Sequence, residues 1–139
     1  MLIGEYAHSL DAKGRVNFPA KMRDHLGEHF ILTKGLDNCL FVYATDEWAR
    51  LEEKIKALPM SKARTLQRFL FSGAIDIELD KQGRVVIPQN LRDYAGLLKD
   101  VMIIGASTRA EIWDKEKWQA SCEELTPQMV EQAMDDLGF

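Results

Sequence analysis

Basic side chains stand at two matching places in the sequence, and their types suit them to binding chemistry. Lys13 and Arg15 form one group, and Lys81 and Arg84 form the other. An ammonium group binds phosphate as a point charge, whereas a guanidinium can donate two parallel hydrogen bonds to a phosphate or to the O6 and N7 atoms of guanine. Both groups are therefore candidates for contact with a nucleic acid.

Both groups belong to a stretch of sequence that occurs twice. The two copies are residues 10–19 (LDAKGRVNFP) and residues 79–88 (LDKQGRVVIP), which lie 69 positions apart and share Leu, Asp, Gly, Arg, Val and Pro. The match extends to Arg23 and Arg92, and it resumes later in the chain at a spacing of 70 positions. Solenoid and propeller repeats have shorter periods of roughly 20 to 50 residues. We therefore predict a tandem duplication of a small domain.

The aspartate of each copy is explained by a turn. Asp11 and Asp80 each stand three positions before a glycine. In such a turn the carboxylate accepts hydrogen bonds from the following backbone N–H groups, and the glycine supplies a positive φ. We predict a structural role for both aspartates. The alternative, a carboxylate pair for acid–base catalysis, is weaker because the turn accounts for both residues.

Two roles stay open for Arg15 and Arg84 on the residues alone. Each arginine could project from a rigid hairpin tip toward DNA. Each could instead pair with the aspartate of its own turn and brace the hairpin. Both roles hold together if the carboxylate orients the arginine for its target.

Strands should flank each turn, and a short helix should follow. Polar and apolar residues alternate along residues 15–18, as they do in a half-buried strand, and residues 84–87 are their equivalents in the second copy, with Val86 in place of Asn17. A proline comes next in both copies and suits the first position of a helix, where its missing N–H group is no loss. Helices are predicted over about residues 19–26 and 88–95, each ended by a glycine.

Each repeat should continue into a second hairpin and further helices. The hairpins are predicted over residues 30–43 and 101–113, and the helices over residues 45–58, 60–71, 115–124 and 127–137. Asp114 and Thr126 are the expected N-caps of the last two helices. Arg64 and Arg68 lie four positions apart and form either a solvated stripe or ion pairs across an interface, with phosphate contact as the weaker alternative. The whole pattern indicates an α+β protein.

Charge is distributed unevenly between the halves. The chain has a net charge of -4, which by itself disfavours nucleic acid. The predicted first domain, residues 1–72, carries eleven Lys and Arg against nine Asp and Glu. The predicted second domain, residues 73–139, carries seven against thirteen. The first half is therefore positive and the second strongly negative.

Several classes of function lack their usual signals. The histidines are His8, His25 and His29, and none of the hydrolase, zinc-protease or phosphate-loop motifs occurs. His25 and His29 could share a helix face as metal ligands, but Gly27 between them should end that helix. Cys39 and Cys122 are lone thiols without metal or disulfide spacing. We expect no catalytic site, metal, cofactor or small-molecule substrate, and neither a signal peptide nor a membrane span.

The paired motifs Asp11-x-x-x-Arg15 and Asp80-x-x-x-Arg84 resemble the MraZ family of bacterial transcriptional regulators. The resemblance covers essentially the whole chain, including the duplication and the Trp113-Asp114 segment. It implies a duplicated AbrB-like fold of the SpoVT type. In that fold the two repeats interleave as a swapped-hairpin β-barrel with peripheral helices, about a pseudo-twofold axis within one chain.

The same resemblance implies a function and a set of partners. The expected protein is a cytoplasmic, nucleoid-associated regulator of the division and cell-wall gene cluster, including its own operon. It would bind short direct repeats in double-stranded operator DNA as a homo-oligomeric ring, whose several turns add up to a multivalent basic surface. By residue, the DNA-contacting role carries over to Lys13, Gly14, Arg15, Lys81, Gln82, Gly83 and Arg84.

Two alternatives accompany this expectation. One is a ring that serves as a structural or protein-interaction scaffold, in which the turn arginines only brace the hairpins. The other is an antitoxin-type AbrB-like DNA binder, although such proteins usually carry one repeat and a disordered tail. The two turns also differ in their middle residues, Ala12-Lys13 against Lys81-Gln82. They could therefore divide base reading and phosphate contact unequally.

Overall fold

The computed structural model describes residues 1–138 as an α+β fold. The first half contains β1 (Glu5–Ser9), β2 (Arg15–Asn17), α1 (Ala20–Leu26), β3 (His29–Lys34), β4 (Leu40–Ala44), α2 (Thr45–Lys56) and α3 (Met60–Leu66). The second half contains β5 (Ile75–Glu78), β6 (Arg84–Val86), α4 (Gln89–Ala95), β7 (Asp100–Gly105), β8 (Ala110–Asp114), α5 (Lys115–Glu124) and α6 (Pro127–Asp135). The predicted α+β class is confirmed.

The strands of the two repeats interleave. Six strands form one sheet in the order β1-β7-β8-β4-β3-β5, and β2 pairs with β6 in a separate two-stranded ribbon. The opening strand of each repeat is thus exchanged, because β1 pairs with β7 of the second repeat and β5 pairs with β3 of the first. Every one of these pairings is antiparallel. This exchange is the expected swapped-hairpin arrangement, and closure of the sheet into a barrel stays a prediction.

A pseudo-twofold axis follows from two of the pairings. The strands β4 and β8 are equivalent in the two repeats, and they pair with each other so that Leu40 faces Ile112 and Val42 faces Ala110. The equivalent strands β2 and β6 likewise pair with each other. A strand can lie antiparallel to its own copy in this way only near a twofold axis. The axis therefore passes through both pairings.

One hydrophobic core serves both repeats. Equivalent residues enter it in pairs: Phe18 with Ile87, and Met22 with Leu91, all at most 2% exposed. These side chains come from the end of each ribbon strand and from the helix that follows, and they pack in one cluster with residues of both sheet halves. Because apolar burial is the main stabilising term in folding, neither repeat keeps its core without the other.

The short helices begin one residue later than the sequence indicated. We expected Pro19 and Pro88 at the first helical position, and this prediction is wrong. Both prolines have extended ψ angles, 132° and 151°, and precede the first helical residue. Their carbonyl oxygens accept the first helical hydrogen bonds, from the N–H groups of Arg23 and Arg92 at 3.0 Å. Proline fits here because the N-cap position uses the carbonyl and not the N–H group.

The peripheral helices differ between the halves. As predicted, Asp114 caps α5 by accepting from the N–H of Lys117, and Thr126 caps α6 by accepting from the N–H of Met129. In the first half, α3 passes into a π-helical segment at Gln67–Phe71. Within residues 1–138, no helix is both long enough and apolar enough to cross a membrane.

Candidate nucleic-acid interface

The first turn is held by the side chain of its aspartate. Asp11 Oδ1 accepts hydrogen bonds from the backbone N–H groups of Lys13 and Arg15, both at 2.9 Å. Its Oδ2 accepts from Nε of Arg15 at 2.6 Å. The backbone closes the turn through a bond from the N–H of Gly14 to the Asp11 carbonyl at 3.0 Å, with Gly14 at a φ of 75°. The carboxylate therefore fixes both the loop and the arginine.

The second turn repeats this geometry. Asp80 Oδ1 accepts from the N–H groups of Gln82 and Arg84 at 2.9 and 2.8 Å, and Oδ2 accepts from Nε of Arg84 at 2.8 Å. Gly83 has a φ of 76° and donates its N–H to the Asp80 carbonyl at 3.0 Å. Different middle residues thus occupy one and the same scaffold.

These hydrogen bonds determine the ionisation state of the aspartate in each turn. The backbone hydrogen bond from Arg15 is the largest cause that holds the pKa of Asp11 below its ordinary value, and the bond from Arg84 does the same for Asp80. Both carboxylates are therefore ionised at neutral pH. Each aspartate–arginine pair is neutral as a unit, although the side chains of Arg15 and Arg84 stay 29% and 26% exposed. The predicted bracing contact is present, and it engages each arginine through Nε rather than through its Nη groups.

The ribbon of β2 and β6 joins the two turns. Val16 lies opposite Val85 at its centre. The N–H of Phe18 donates to the carbonyl of Gly83 at 3.1 Å, and the N–H of Ile87 donates to the carbonyl of Gly14 at 2.9 Å. Each turn is thus tied to the strand that leaves the other turn. The two turns therefore lie at opposite ends of one short ribbon, and we call the ribbon with its two turns the paired-turn face.

The candidate contact residues differ in exposure on this face. Lys13, Lys81 and Gln82 are exposed, whereas Gly14 and Gly83 are buried. The long side chains are therefore free to reach a ligand. The glycines instead allow close packing beneath the surface.

The sequence predicts no function for the side chains that pack over these glycines. The guanidinium of Arg92, on α4, lies over Gly14, and the guanidinium of Arg23, on α1, lies over Gly83. The sequence identifies both arginines as equivalent positions of the repeat. It does not predict that each arginine contacts the turn of the other repeat, because that contact depends on the pairing of β2 with β6.

The histidines do not form a cluster. His25 lies in α1 with Nδ1 3.3 Å from the N-terminal nitrogen, whereas His29 opens β3 with Nδ1 3.9 Å from a carboxylate oxygen of Asp76. No group of three potential metal ligands occurs in the described part of the chain, residues 1–138. Of the two thiols, Cys39 is buried, which raises its pKa, and Cys122 is exposed.

The amino-acid sequence is similar to one protein family and to several named proteins. The family model described as "MraZ protein, putative antitoxin-like" matches residues 1–69 and again residues 70–137. A protein of Acetivibrio thermocellus named "Transcriptional regulator MraZ" is 56% identical, with 100% of each chain covered. One of the same name from Caldicellulosiruptor saccharolyticus is 58% identical, again with 100% of each chain covered. A third, from Caldanaerobacter subterraneus subsp. tengcongensis, is 59% identical over 86% of this chain and 85% of its own.

Proposed function

The chain belongs to the MraZ family, as its paired motifs indicated, and on this premise we propose that it is a sequence-specific DNA-binding regulator that reads its operator with the paired-turn face. Its relatives carry the name of transcriptional regulators, which supports a DNA-binding regulator rather than an enzyme. The two matched segments fit a duplicated AbrB-like fold. We propose that it acts in the cytoplasm, at the nucleoid.

The observation that carries the proposal is the matched geometry of the turns. Two hairpin tips with the same backbone present an oriented arginine and at least one exposed lysine each. A guanidinium held by a carboxylate through Nε keeps its Nη donors available and already oriented for a base edge or phosphate. Rigid supports of this kind lower the conformational cost of binding.

We assign unequal roles to the two tips. The first tip carries Ala12 and Lys13, and the second carries Lys81 and Gln82. Gln82 adds an amide, which can donate to and accept from an adenine edge, whereas the ammonium group of Lys13 binds phosphate as a point charge. The second tip is thus the richer candidate for base reading.

The proposed target is a set of short direct repeats upstream of the division and cell-wall gene cluster, including the protein's own gene. Short sites offer few base contacts, so several sites bound together by one assembly gain affinity through effective concentration. Family membership supports this target. Binding to several sites at once also requires that the protein associates with itself.

Exposed apolar side chains on α6 support self-association. Met129, Val130 and Met134 are 51%, 45% and 39% exposed, and they lie on one side of an amphipathic helix. None of the residues of α6 is buried in the described chain. A nine-residue helix is marginal by itself in water, so this helix gains most from a covering partner.

Charge favours a second copy as that partner. The end of α6 is acidic, with Glu131, Asp135 and Asp136, whereas α3 and the segment after it carry exposed Lys62, Arg64 and Arg68. A contact between α6 of one subunit and α3 of the next would be head-to-tail. Such a contact closes into a ring when the rotation between subunits permits it.

Salt-titrated binding tests the DNA proposal. Wild-type protein is titrated with duplex from immediately upstream of its own gene and with a scrambled duplex of equal length. We expect Arg15→Ala or Arg84→Ala to cost about 1 to 3 kcal/mol on the upstream duplex where the arginine reads a base. The matched control is Arg50→Ala, which removes an exposed arginine paired with Asp46 and Glu47 on α2.

The outcomes separate the two classes of function. Tight binding to the upstream duplex alone, lost in the turn variants and kept in the α2 control, supports the regulator. Equal or absent binding to both duplexes contradicts it and favours the interaction scaffold. If melting curves show that the turn variants are unfolded, the result favours the alternative in which Arg15 and Arg84 only brace their hairpins.

Molar mass in solution tests the assembly. Met129→Glu places a charge on the apolar side of α6, whereas Gln128→Glu places the same charge on the opposite side. We expect light scattering to report a smaller species only for the first variant, because a buried unpaired carboxylate is costly. Equal masses for the two variants would show that α6 does not form the contact between subunits. A monomeric wild type would contradict the proposed ring.

A further inference from the structure

A mainly apolar groove lies between the end of α2 and the outer side of α3. It is lined by Leu58, Ser61, Lys62, Thr65 and Leu66. Within α3 these residues stand three or four positions apart, so they share one side of the helix. The buried side of α3 is a different one, where Ala63 packs with Ile55 and Leu70. The groove is therefore a second apolar surface of this helix pair, which stays open after the local core has formed.

The groove can be covered without leaving a polar group unpaired at its centre. Thr65 lies in the middle of the lining, and its hydroxyl donates to the carbonyl of Ser61 at 3.1 Å. A buried donor without a partner is costly, but this hydroxyl keeps its partner when the groove is covered. Leu58 on the rim is 37% exposed and would lose that apolar surface to a covering helix.

The exposed side of α6 matches the groove in size and shape. With nine residues, α6 is about 13 Å long. The groove follows α3, whose seven residues span about 10 Å, and continues past its start to Leu58. Helices pack when large side chains of one fill the spaces between side chains of the other. Met129 and Met134 are long and flexible, whereas Ser61 and Thr65 leave space between the two leucines.

Charge complementarity favours α6 as the helix that covers the groove. Lys62 lies in the lining and forms no ion pair within residues 1–138. The sequence of α6 contains Glu131 and Asp135 and neither lysine nor arginine. A basic rim opposite an acidic helix suits the pair to each other and disfavours a basic helix at the same place.

The chain does not cover α6 with its own residues. In the first half, Ile55 at the end of α2 is 3% exposed because α3 packs back on it. Its equivalent 70 positions later, Leu125 at the end of α5, is 60% exposed. None of the described residues of α6 is buried. The covering partner of α6 is therefore another molecule.

We propose that α6 of one subunit lies in the α3 groove of the next subunit, with its apolar side over Ser61 and Thr65 and its carboxylates beside Lys62. This inference rests on the self-association proposed above and assigns its acceptor site. The incoming helix becomes the third helix of a unit with α2 and α3. The contact runs one way, because the groove belongs to the first half of the chain and α6 to the second. Each subunit thus offers one helix and one groove to different neighbours.

Cross-linking through introduced cysteines tests the contact. Thr65→Cys marks the middle of the groove and Val130→Cys the apolar side of α6, both in a chain with Cys122→Ser, so that the remaining native thiol is the buried Cys39. A disulfide needs Cα atoms within about 7 Å of each other. After mild oxidation we expect the double variant to form a ladder of covalent multimers on a non-reducing gel, and neither cysteine alone to do so.

Matched variants check that the cross-link reports the proposed side of each helix. Gln128→Cys lies on the opposite side of α6 and should form no ladder with Thr65→Cys. Without cysteines, Thr65→Glu should give a smaller species in light scattering, because it places a charge in the covered groove. Gln67→Glu adds the same charge two positions along, outside the lining, and should keep the mass of wild type. All of these positions are exposed in the subunit, and melting curves show that the variants are folded.

Each result of the cross-linking supports or overturns the proposal. A ladder from the Thr65 and Val130 pair alone supports it. A cross-linked monomer means that α6 covers the groove of its own chain, and a cross-link from Val130→Cys alone means that two copies of α6 meet. Either result overturns the proposal, as does a ladder from the Gln128 control or no cross-link at all.

The duplex assay on the same proteins separates this inference from the proposed function. Specific binding to the upstream duplex without the ladder would overturn the groove contact and leave the regulator standing. The ladder without specific binding would keep the contact and contradict the regulator. A monomeric wild type would overturn the groove contact together with the ring, whereas DNA contact by the turns would still be decided by the duplex assay.

Discussion

The two turns of this chain are nearly identical, whereas the helices that follow the sheet strands differ between its two halves. The Asp11 and Asp80 turns have glycine φ angles of 75° and 76°, and their equivalent hydrogen bonds differ by at most 0.2 Å. The helices after the sheet strands share no such likeness. In the first half, α2 and α3 with the segment that follows bury Ile55, Ala63 and Leu70 in a cluster of their own. In the second half, α5 and α6 bury none of their described residues.

This difference shows where the duplication is constrained. Each turn is bonded to the strand that leaves the other turn, and each is covered by an arginine from the other repeat. A change in one turn must therefore fit both repeats. The helical ends contact mainly their own half and solvent, so one has become a small local core and the other an exposed surface.

The largest effect should come from the core that the repeats share. Phe18→Ala should lower the free energy of unfolding by about 3 to 5 kcal/mol and Ile87→Ala by about 2 to 5 kcal/mol, because each removes a fully buried side chain. Either variant should still unfold in one transition by circular dichroism and calorimetry. Two separate transitions would mean that the repeats hold independent cores.

Substitution of the turn glycines comes next. Gly14→Ala and Gly83→Ala should each destabilise the protein by about 1 to 2 kcal/mol, because alanine is disfavoured at positive φ and its methyl group displaces the arginine above it. Chemical denaturation measures both variants. We expect similar losses in the free energy of unfolding for the two variants. A large loss at one turn with none at the other would show that the two turns are not equivalent.

Exchange of the middle residues of the first turn tests whether the tips read bases, and it should leave the fold intact. Ala12→Lys with Lys13→Gln makes the first turn read like the second. Stability should change by less than about 0.5 kcal/mol, because these side chains are exposed and the aspartate holds the backbone. Charge is conserved, so the salt slope of DNA binding should stay, while the preference for upstream over scrambled duplex shifts. An unchanged preference would show that the tips do not read bases.

The smallest effect should be the acid dependence of the turns. The pKa values of Asp11 and Asp80 lie below the ordinary 3.8, so each carboxylate stabilises the folded state above that pH and loses this contribution as pH falls through the lower, folded pKa. Asp11→Asn and Asp80→Asn should each melt slightly lower than wild type at pH 7. The gap between their melting temperatures and that of wild type should begin to narrow near pH 3.8 and should close only below the lower, folded pKa. A constant gap down to pH 2 would assign the effect to something other than the carboxylate.

Much of the fold was predictable because its determinants are local. The Asp-x-x-Gly pattern specifies a turn within five residues, and Asp114 and Thr126 cap helices through atoms three positions away. Family membership also followed from residues in fixed order. The first helical position was misplaced by one residue, because proline suits both the N-cap and the position after it.

By itself, the sequence determined the duplication, the turns, the strands that flank them and the family. Only the tertiary structure decided which strands pair and therefore which side chains meet at the paired-turn face. Arg23 and Gly83 are far apart in the chain, and they meet because β2 lies antiparallel to β6. Periodicity reports which face of a strand is buried, whereas the identity of its neighbour depends on the sum of contacts across both repeats. For that reason the sequence identifies Arg23 and Arg92 only as equivalent positions of the repeat, and it does not predict which turn each of them contacts.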